Sequence, residues 1–482
     1  MANYLTNISS EVALPLWALA SLGLLSALAL LDRVMVPSVR WAIRARAERA
    51  IEKLNTQLKL RIQPFKMTSR RVLIDRLLHD PDVLAAVDAY ASEMAVPREA
   101  AMTLAKGYAR EIVPSFSAYA YFKVGTRLAR YVSKSLYRVR LGAVDTKALE
   151  AIPANASVVF VINHRSNMDY VLVTYVAASS SALSYAVGEW AQIWGLRSLI
   201  RSMGAYFIRR NSRNQLYRKV LSRFVDMATK AGVVQAIFPE GGLSRDGSVR
   251  PVKLGLFAYM VSGFDPNGAR DIVFVPVGVN YDRVLEDRVL TRNADVAPGE
   301  TPRFGFNPLV LGRYLLRNAW LRIVGRWHRY GYACVSFGQP ISLKAVLAPR
   351  ALDFRVLPDD ERHAEIQVLG ERLMRAVAAV IPALPVPLVA TAILQATDKP
   401  LTLFELKGRV FDLMSRLERG GAYVHIPRRD RDYAIETGLR VLLKRRLITL
   451  SEGLYEANPK ELALLRYYAN SLVHLLPQPE AV

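Results

Sequence analysis

Cysteine is nearly absent from this chain of 482 residues, in which Cys334 is the only one. A single cysteine excludes an intramolecular disulfide and is compatible with a reducing compartment. Histidine is also scarce, and neither an HExxH motif nor the Cys/His spacing of a zinc site occurs. We therefore expect neither a disulfide nor a bound metal. The six histidines are widely scattered: His79, His164, His328, His363, His425 and His474.

Acidic residues are outnumbered, with 42 Asp and Glu against 65 Lys and Arg, and the formal net charge is +23. Such an excess attracts polyanions, namely anionic lipid headgroups, nucleic acids or phosphorylated substrates. The composition alone leaves all three partners open.

Charge is missing altogether from residues 12–31, which are 20 mostly apolar residues. That length suffices to cross about 30 Å of hydrocarbon. No Lys or Arg precedes the stretch and several follow it, which places the bulk of the chain in the cytoplasm. The missing basic n-region argues against a cleaved signal peptide. We predict a membrane helix within residues 1–32, with a helix lying on the membrane or a buried helix as alternatives.

The remaining chain divides into three predicted regions. Residues 33–140 carry apolar residues at three- and four-residue spacing and are predicted to be a helical domain. Residues 141–350 alternate short β-branched strands with helices, which is typical of an α/β domain with a central sheet flanked by helices. Residues 351–482 are predicted to be mainly helical, with a hairpin near LITLSEGLYEA and a winged-helix-like order.

One polar turn follows the strand in VFVINHRSNMDY and contains His164 and Asp169. Acyl transfer to an alcohol needs a base for the hydroxyl proton, and neutral imidazole has a suitable pKa. A carboxylate that holds the ring and stabilises the imidazolium completes the pair. The two residues can approach each other across one tight turn. HxxxxD also occurs by chance in many proteins, so the spacing is a weak signal by itself.

Three further segments carry candidate chemistry. In MGAYFIRRN, the guanidinium groups of Arg209 and Arg210 could bind a phosphate through bidentate hydrogen bonds. A strand with a basic flank and no binding role explains the segment equally well. In IFPEGGLSRDG, a strand ends in a carboxylate and a glycine pair whose backbone N–H groups can hold an anion. In VFVPVGVNYDRVLED, Pro276 interrupts a strand and is expected to shape a channel wall.

The order and spacing of these four segments resemble the conserved motifs of the glycerophospholipid acyltransferase family. Within it, HRSNMDY followed by GAYFIRR is most similar to the bacterial membrane-bound glycerol-3-phosphate 1-O-acyltransferases. The resemblance covers roughly residues 100–475. It implies transfer of a fatty acyl group from acyl-CoA or acyl-acyl-carrier-protein to the sn-1 hydroxyl of glycerol 3-phosphate, giving lysophosphatidate. It also implies a bacterial inner membrane location rich in anionic phospholipid, with the catalytic domain on the cytoplasmic side.

Carried over residue by residue, the resemblance implies that His164 is the general base and Asp169 its partner. It implies a substrate site formed by Arg165, Ser166, Arg209, Arg210, Glu240, Gly241, Gly242, Ser244, Arg245 and Lys253. No cofactor is expected beyond the acyl-donor co-substrate, and no metal. We expect direct transfer without an acyl-enzyme, because Cys334 lies outside all four segments.

Two positions depart from the glycerol-3-phosphate pattern. Leu243 stands where those enzymes usually have Arg, and Pro239 resembles the lysophosphatidate acyltransferases. Lysophosphatidate or dihydroxyacetone phosphate is therefore the alternative acceptor. A third hypothesis, a membrane-tethered protein that binds nucleic acid, rests on the net charge and the basic runs RRDRDY and LKRR. Anionic lipid explains that charge as well, at about 1 kcal/mol per basic residue, and we expect no nucleic-acid partner. The oligomeric state stays open.

Overall fold

A computed structural model describes residues 62–177, 182–188, 196–209, 212–292, 320, 324, 329–396 and 399–476. These residues belong to one compact unit of residues 59–482. The predicted membrane helix at residues 12–31 lies outside the described residues. Within the described part of the chain, no helix is both long and apolar enough to cross a membrane.

The described part of the chain begins with a group of helices, as predicted for these residues. Two of them start at residues that cap the helix: the Ser69 hydroxyl accepts from the N–H of Val72, and the Asp80 carboxylate from the N–H of Asp82. Pro81 then occupies the first helical position, where no N–H is needed. The helices are α1 (Pro64–Met67), α2 (Arg70–Leu78), α3 (Pro81–Glu93), α4 (Arg98–Ile112), a π-helical turn (Ala120–Gly125) and α5 (Thr126–Leu136).

The centre of the protein is a mixed sheet in the order β1-β7-β6-β2-β5-β3-β4, with β8 paired to β6. Strands β6, β2, β5, β3 and β4 run parallel, whereas β7 and β8 run antiparallel to β6. The strands are β1 (Arg138–Val144), β2 (Ser157–Ile162), β3 (Ser184–Val187), β4 (Tyr206–Phe207), β5 (Gln235–Ile237), β6 (Ile272–Tyr281), β7 (Tyr332–Phe337) and β8 (Ile341–Ser342).

Helices cover both faces of this sheet. Strand β2 is buried along its whole length, and its alternate side chains enter two different hydrophobic cores. Val158 and Phe160 belong to one core, and Val159 and Val161 to the other. The predicted α/β fold with a flanked central sheet is thereby confirmed. The helices are α6 (Thr146–Glu150), α7 (Met168–Ala177), α8 (Leu196–Ser202), α9 (Gln215–Lys230), α10 (Gly255–Val261), α11 (Asp287–Arg292) and α12 (Leu343–Leu347).

The C-terminal region is mainly helical, as predicted, and the expected hairpin is present. Helix α14 is buried on all sides because its sequence is almost wholly apolar, and it packs against α15, α16 and α17. A three-stranded antiparallel sheet has the order β10-β11-β9. The elements are a 3₁₀ turn (Ala348–Arg350), α13 (Asp359–Ala379), α14 (Pro385–Leu394), β9 (Leu401–Thr402), α15 (Leu403–Arg419), a 3₁₀ turn (Pro427–Arg429), α16 (Arg431–Lys444), β10 (Ile448–Ser451), β11 (Leu454–Ala457), a 3₁₀ turn (Pro459–Glu461), α17 (Leu462–Ala469) and a 3₁₀ turn (Val473–Leu475). The predicted domain boundaries at residues 32, 140 and 350 stay predictions.

Pro276 lies inside β6, a central strand, where proline is unusual. On one side of β6, pairing with β8 involves Val273 and Phe274, and pairing with β7 begins at Val277. Pro276 therefore sits where one neighbouring strand gives way to the other, so its missing N–H interrupts neither ladder. Since β6, β2 and β5 run parallel, their carboxyl ends meet at one edge of the sheet, where α/β proteins place their sites.

Candidate active site

The candidate site begins where β2 ends. The Asn163 amide nitrogen donates to the carbonyl of Val279 at 2.9 Å, and its oxygen accepts from the N–H of Val279 at 2.7 Å. These two hydrogen bonds to β6 fix the chain at the point where it leaves the sheet. His164 follows directly and is 2% exposed.

His164 and Asp169 form a buried pair across a single turn. The distance from His164 Nδ1 to Asp169 Oδ2 is 2.9 Å. The same carboxylate oxygen accepts the backbone N–H groups of Arg165 at 2.8 Å and Ser166 at 3.0 Å. Asp169 lies in the first turn of α7, where a negative charge is stabilised by the helix dipole. The carboxylate therefore shapes the turn and orients the imidazole together.

Two residues of the fourth segment, which sequence reasoning missed, support this turn. The Tyr281 hydroxyl donates to Asp169 Oδ1 at 2.6 Å. The Glu286 carboxylate accepts from the Ser166 hydroxyl at 2.7 Å and from the N–H of Asn167 at 3.2 Å. Burial raises the pKa of Glu286, and the bond from Ser166 opposes that rise. The available signal was their position at the carboxyl end of β6, beside the end of parallel β2.

The imidazole of His164 lies between aromatic rings. Its centroid is 4.3 Å from that of Phe238 and 5.5 Å from that of Tyr170. Its Nε2 atom is buried and has no hydrogen-bond partner among the described residues. When Nδ1 carries the proton donated to Asp169, Nε2 presents its lone pair, which is the form required of a general base.

Glu240 connects the first and third segments. One oxygen accepts the backbone N–H of His164 at 2.8 Å and the other accepts that of Arg250 at 3.1 Å. Burial raises the pKa of Glu240 to about 7, although both backbone bonds act to lower it. Because each oxygen already accepts a hydrogen bond from a backbone N–H, the Glu240 carboxylate links the two loops that contain His164 and Arg250.

The glycine pair and Ser244 shape the loop that follows Glu240. Gly241 has φ +67°, a conformation that favours glycine, and a Cβ there would lie 2.7 Å from Lys253 Cδ. Gly242 is buried, whereas the Lys253 side chain is exposed. The Ser244 hydroxyl donates to the carbonyl of Ser248 at 2.7 Å and accepts from the N–H of Gly247 at 3.0 Å. Its hydroxyl thus closes the loop on itself.

Arg165 is a buried cation held by the third segment and the C-terminal region. Its Nη1 donates to the carbonyl of Gly247 at 2.7 Å, and its guanidinium lies 5.2 Å from the Tyr467 ring centroid. Nε and Nη2 are buried and have no partner in the described part of the chain. A cation with unused donors beside His164 is suited to binding an anionic group.

The C-terminal region reaches this loop through helix α17. Gly247 has φ +88°, and a Cβ there would lie 1.8 Å from the carbonyl oxygen of Tyr467. The side-chain amide of Asn470 donates to the carbonyl of Asp246 at 2.9 Å. The region therefore forms part of the wall on which the loop rests.

Arg209 binds a carboxylate outside the group of residues around His164. Its guanidinium forms a two-pronged pair with the Glu111 carboxylate of α4, at distances of 2.6 to 3.1 Å. It also lies over the rings of Tyr108 and Tyr217, at 5.2 and 5.4 Å. Arg210 lies outside the described residues, and Arg245 is partly buried on the loop of the third segment. The hydrogen-bonded group comprises His164, Arg165, Ser166, Asp169, Glu240 and Ser244, and Arg209 is not part of it.

Two family models match this chain. The acyltransferase family model matches residues 143–280, which hold all four segments up to Asn280. The chain carries an acyltransferase domain. After it, residues 320–481 match the model described as the glycerol-3-phosphate acyltransferase C-terminal region. The resemblance to glycerol-3-phosphate acyltransferases is confirmed.

Relatives named glycerol-3-phosphate acyltransferase align with both the acyltransferase domain and the C-terminal region. The one from Aeromonas hydrophila is 26% identical over 86% of this chain and 51% of its own length. The one from Pseudomonas aeruginosa is 26% identical over 90% and 53%, and that from Xanthomonas campestris 25% over 89% and 49%. The chain spans about half the length of these relatives.

A solved structure also resembles part of the chain, namely the 1-acyl-sn-glycerophosphate acyltransferase from Thermotoga maritima. It covers 54% of this chain and 78% of its own, with 16% identity and a TM-score of 0.30. Among the described residues, no group of three or more His, Cys, Asp or Glu side chains is arranged to hold a metal ion.

Proposed function

We propose that the protein transfers a fatty acyl group from a thioester donor to the sn-1 hydroxyl of glycerol 3-phosphate. The observation that carries this proposal is the His164–Asp169 pair, in which Nδ1 is anchored and Nε2 is left without a partner among the described residues. The C-terminal match and the names of the relatives support glycerol 3-phosphate as the acceptor. The donor is acyl-CoA or acyl-acyl-carrier-protein.

In this mechanism, Nε2 takes the hydroxyl proton while the substrate oxygen attacks the thioester carbonyl. Asp169 stabilises the imidazolium that forms, and Tyr281 holds Asp169 in place. Collapse of the tetrahedral intermediate breaks the carbon–sulfur bond, and the imidazolium returns its proton to the departing thiolate. The products are the ester and the free thiol of the carrier.

The acyl group is transferred directly between the two substrates. Cys334 is buried in β7, and burial raises the pKa of its thiol to about 12. Such a thiol stays protonated at neutral pH and is a poor nucleophile. Trapping a covalent acyl adduct on the protein would contradict direct transfer.

We place the acceptor phosphate among the cations of the first and third segments. Arg165 has two unused donors beside His164. Lys253 and Arg245 belong to the loop shaped by Glu240, Gly241, Gly242 and Ser244, whereas Arg209 after β4 is paired with Glu111. The side chains of Glu240 and Ser244 form hydrogen bonds within the protein. We therefore propose that they stabilise the loop and do not contact the substrate directly.

The decisive experiment compares wild type and His164→Ala with radiolabelled glycerol 3-phosphate and lysophosphatidate as parallel acceptors. A positioned base contributes on the order of 10²–10⁴-fold, so the variant should lose most of its turnover. Wild-type turnover in the variant would contradict the role of His164. Acylation of lysophosphatidate alone by the wild type would contradict the acceptor.

The second candidate function, acylation of lysophosphatidate or dihydroxyacetone phosphate, is favoured by Leu243. This side chain is partly buried and packs against the core, so it brings no charge to the loop. Arg250 Nη1 lies 3.4 Å from the carbonyl of Leu243, which places one cation close by. If the acceptor is not glycerol 3-phosphate, Leu243→Arg should sharply improve use of glycerol 3-phosphate. An unchanged rate would count against this candidate.

We also propose that the protein works at an anionic membrane on the cytoplasmic side of the bacterial inner membrane. Support comes from the surface of the π-helical turn and α5, where Val124 and Leu128 are exposed at 43% and 46%. The exposed cations of the same surface are Lys123, Arg127, Arg130 and Lys134. Apolar and basic side chains together suit an interface with anionic lipid. Leu128→Asp should reduce sedimentation with phosphatidylglycerol vesicles, and equal sedimentation would contradict this surface.

A further inference from the structure

A group of arginines precedes β4 in the sequence and lies outside the four segments. We call it the N-terminal arginine cluster. It brings together residues that are far apart in sequence and come from the start of α2, the end of α4 and one face of α8. Its members are Arg70, Arg110, Arg197 and Arg201.

Backbone carbonyls at the end of α4 hold two members. Arg70 Nε donates to the carbonyl of Val113 at 3.0 Å, and its Nη2 donates to the carbonyl of Arg110. Arg201 Nη2 donates to the carbonyl of Glu111 at 3.1 Å. These carbonyls fix the guanidinium groups but do not neutralise them.

Helix α8 carries two members of the cluster, Arg197 and Arg201. Arg197 and Arg201 are four residues apart and therefore share one helix face. Their guanidinium groups lie over the same Phe207 ring, at 6.0 and 5.5 Å from its centroid. The Nε atoms of both are buried and have no partner among the described residues. The cluster thus presents donors in a partly enclosed position rather than on a flat surface.

Within the described residues, no ion pair neutralises the cluster. Its nearby carboxylate, Glu111, gives both oxygens to Arg209. None of the four members forms an ion pair in the described part of the chain. The pKa of Arg201 is lowered to about 10, first by burial and then by Arg70 and Arg197, and the nearby Glu111 opposes this shift only in part. Like charges held this close indicate a site completed by an anion.

The position of the cluster excludes the acceptor that reacts at His164. Strand β4 is three neighbours away from β2 in the sheet. At about 4.8 Å per neighbour, the two strands are roughly 14 Å apart. The cluster lies beside β4, with two of its arginines over the Phe207 ring, and glycerol 3-phosphate has only three carbons between its ends. An anion bound here must belong to a longer molecule if its other end reaches His164.

We infer that the N-terminal arginine cluster binds the phosphate end of the acyl donor's phosphopantetheine arm. Both coenzyme A and acyl carrier protein hold the acyl thioester on this arm, with a phosphate at the opposite end. Arginine suits the task because its guanidinium bonds two phosphate oxygens at once. This assignment rests on the proposed function, since it takes the thioester to be delivered to His164.

The test measures binding of phosphopantetheine by titration calorimetry to the full chain and to Arg197→Gln/Arg201→Gln. We expect at least tenfold weaker binding in the variant. The matched control is Arg372→Gln/Arg375→Gln, which removes two exposed arginines from one face of α13 and should bind like wild type. Arg197→Lys keeps the charge without the two-pronged geometry and should lie between. Arg197→Gln alone serves if the double variant does not fold.

Parallel titrations with glycerol 3-phosphate and with phosphatidylglycerol vesicles identify the source of the phosphate. Unchanged phosphopantetheine binding in the variants would overturn the assignment. So would an equal loss of glycerol 3-phosphate binding, which would put the cluster in the acceptor site, or a loss confined to vesicles, which would indicate lipid headgroups. These measurements need no turnover, so a wild-type protein that fails to acylate glycerol 3-phosphate would contradict the proposed function separately.

Discussion

Tyr281→Phe removes a single oxygen atom from the support of the candidate catalytic pair. The lost bond is the 2.6 Å contact from the Tyr281 hydroxyl to Asp169 Oδ1. Burial and the neighbouring Asp169 raise the pKa of this hydroxyl well above its usual value, so it stays a neutral donor throughout the working range of pH. Without it, one oxygen of a fully buried carboxylate loses the partner that holds it.

A hydrogen bond to a charged group contributes about 1.5–3 kcal/mol. If that energy also orients the imidazole as the proton moves, turnover should fall by roughly 10–100-fold, at about 1.4 kcal/mol per factor of ten. The KM for either substrate should change little, because Tyr281 contacts Asp169 and not the proposed substrate groups. The assay is steady-state acyl transfer to glycerol 3-phosphate.

Tyr137→Phe provides a matched control. Tyr137 is equally buried, its ring centroid lies 5.2 Å from that of Tyr281, and its hydroxyl donates to the carbonyl of Arg283 at 2.9 Å. Both variants should lose stability, by about 1 kcal/mol for the neutral bond of Tyr137. Only Tyr281→Phe should lose turnover. Equal turnover in the two variants would refute the role of Tyr281 in holding Asp169.

Two further predictions concern the loop packing and the response to pH. Gly247→Ala should lower the free energy of unfolding by about 2–5 kcal/mol in urea denaturation, because φ +88° disfavours a side chain and its Cβ would meet the Tyr467 carbonyl. Gly453→Ala, with φ +79° and open space around it, should lose only about 1 kcal/mol, and equal losses would contradict the close packing. Burial raises the pKa of Asp282 to about 7. The contribution of this group to the free energy of unfolding is therefore fully present below its unfolded pKa and is lost as the pH rises through 7. The protein should be roughly 2–3 kcal/mol less stable at pH 8 than at pH 5 through this group, and an identical pH slope in Asp282→Asn would argue against it.

The local parts of the site followed from the sequence. His164 and Asp169 are separated by one turn, and a strand ending in a polar turn was enough to predict their approach. The strand at the third segment and the flanked central sheet were also predictable, because short β-branched runs and strand–helix alternation are local patterns. The roles of the substrate-binding residues stay predictions.

The supports of the site could not be predicted in the same way. Tyr281 and Glu286 reach the loop because β6 pairs beside β2, and that register is set by the packing of the whole sheet. Glu240 looked like a substrate contact, yet its partners are backbone groups that a sequence does not reveal. Arg209 likewise pairs with Glu111, 98 positions away. Such contacts depend on tertiary structure rather than on local preference.

Contact between Arg165 and Tyr467 joins positions 302 residues apart in the chain. At a synthesis rate of about 5–20 residues per second, the ribosome needs on the order of tens of seconds to make the intervening segment. During that time the His164 loop exists without the aromatic ring and the helix on which it rests. We therefore expect a nascent chain to be inert until α17 has been made and packs against this loop.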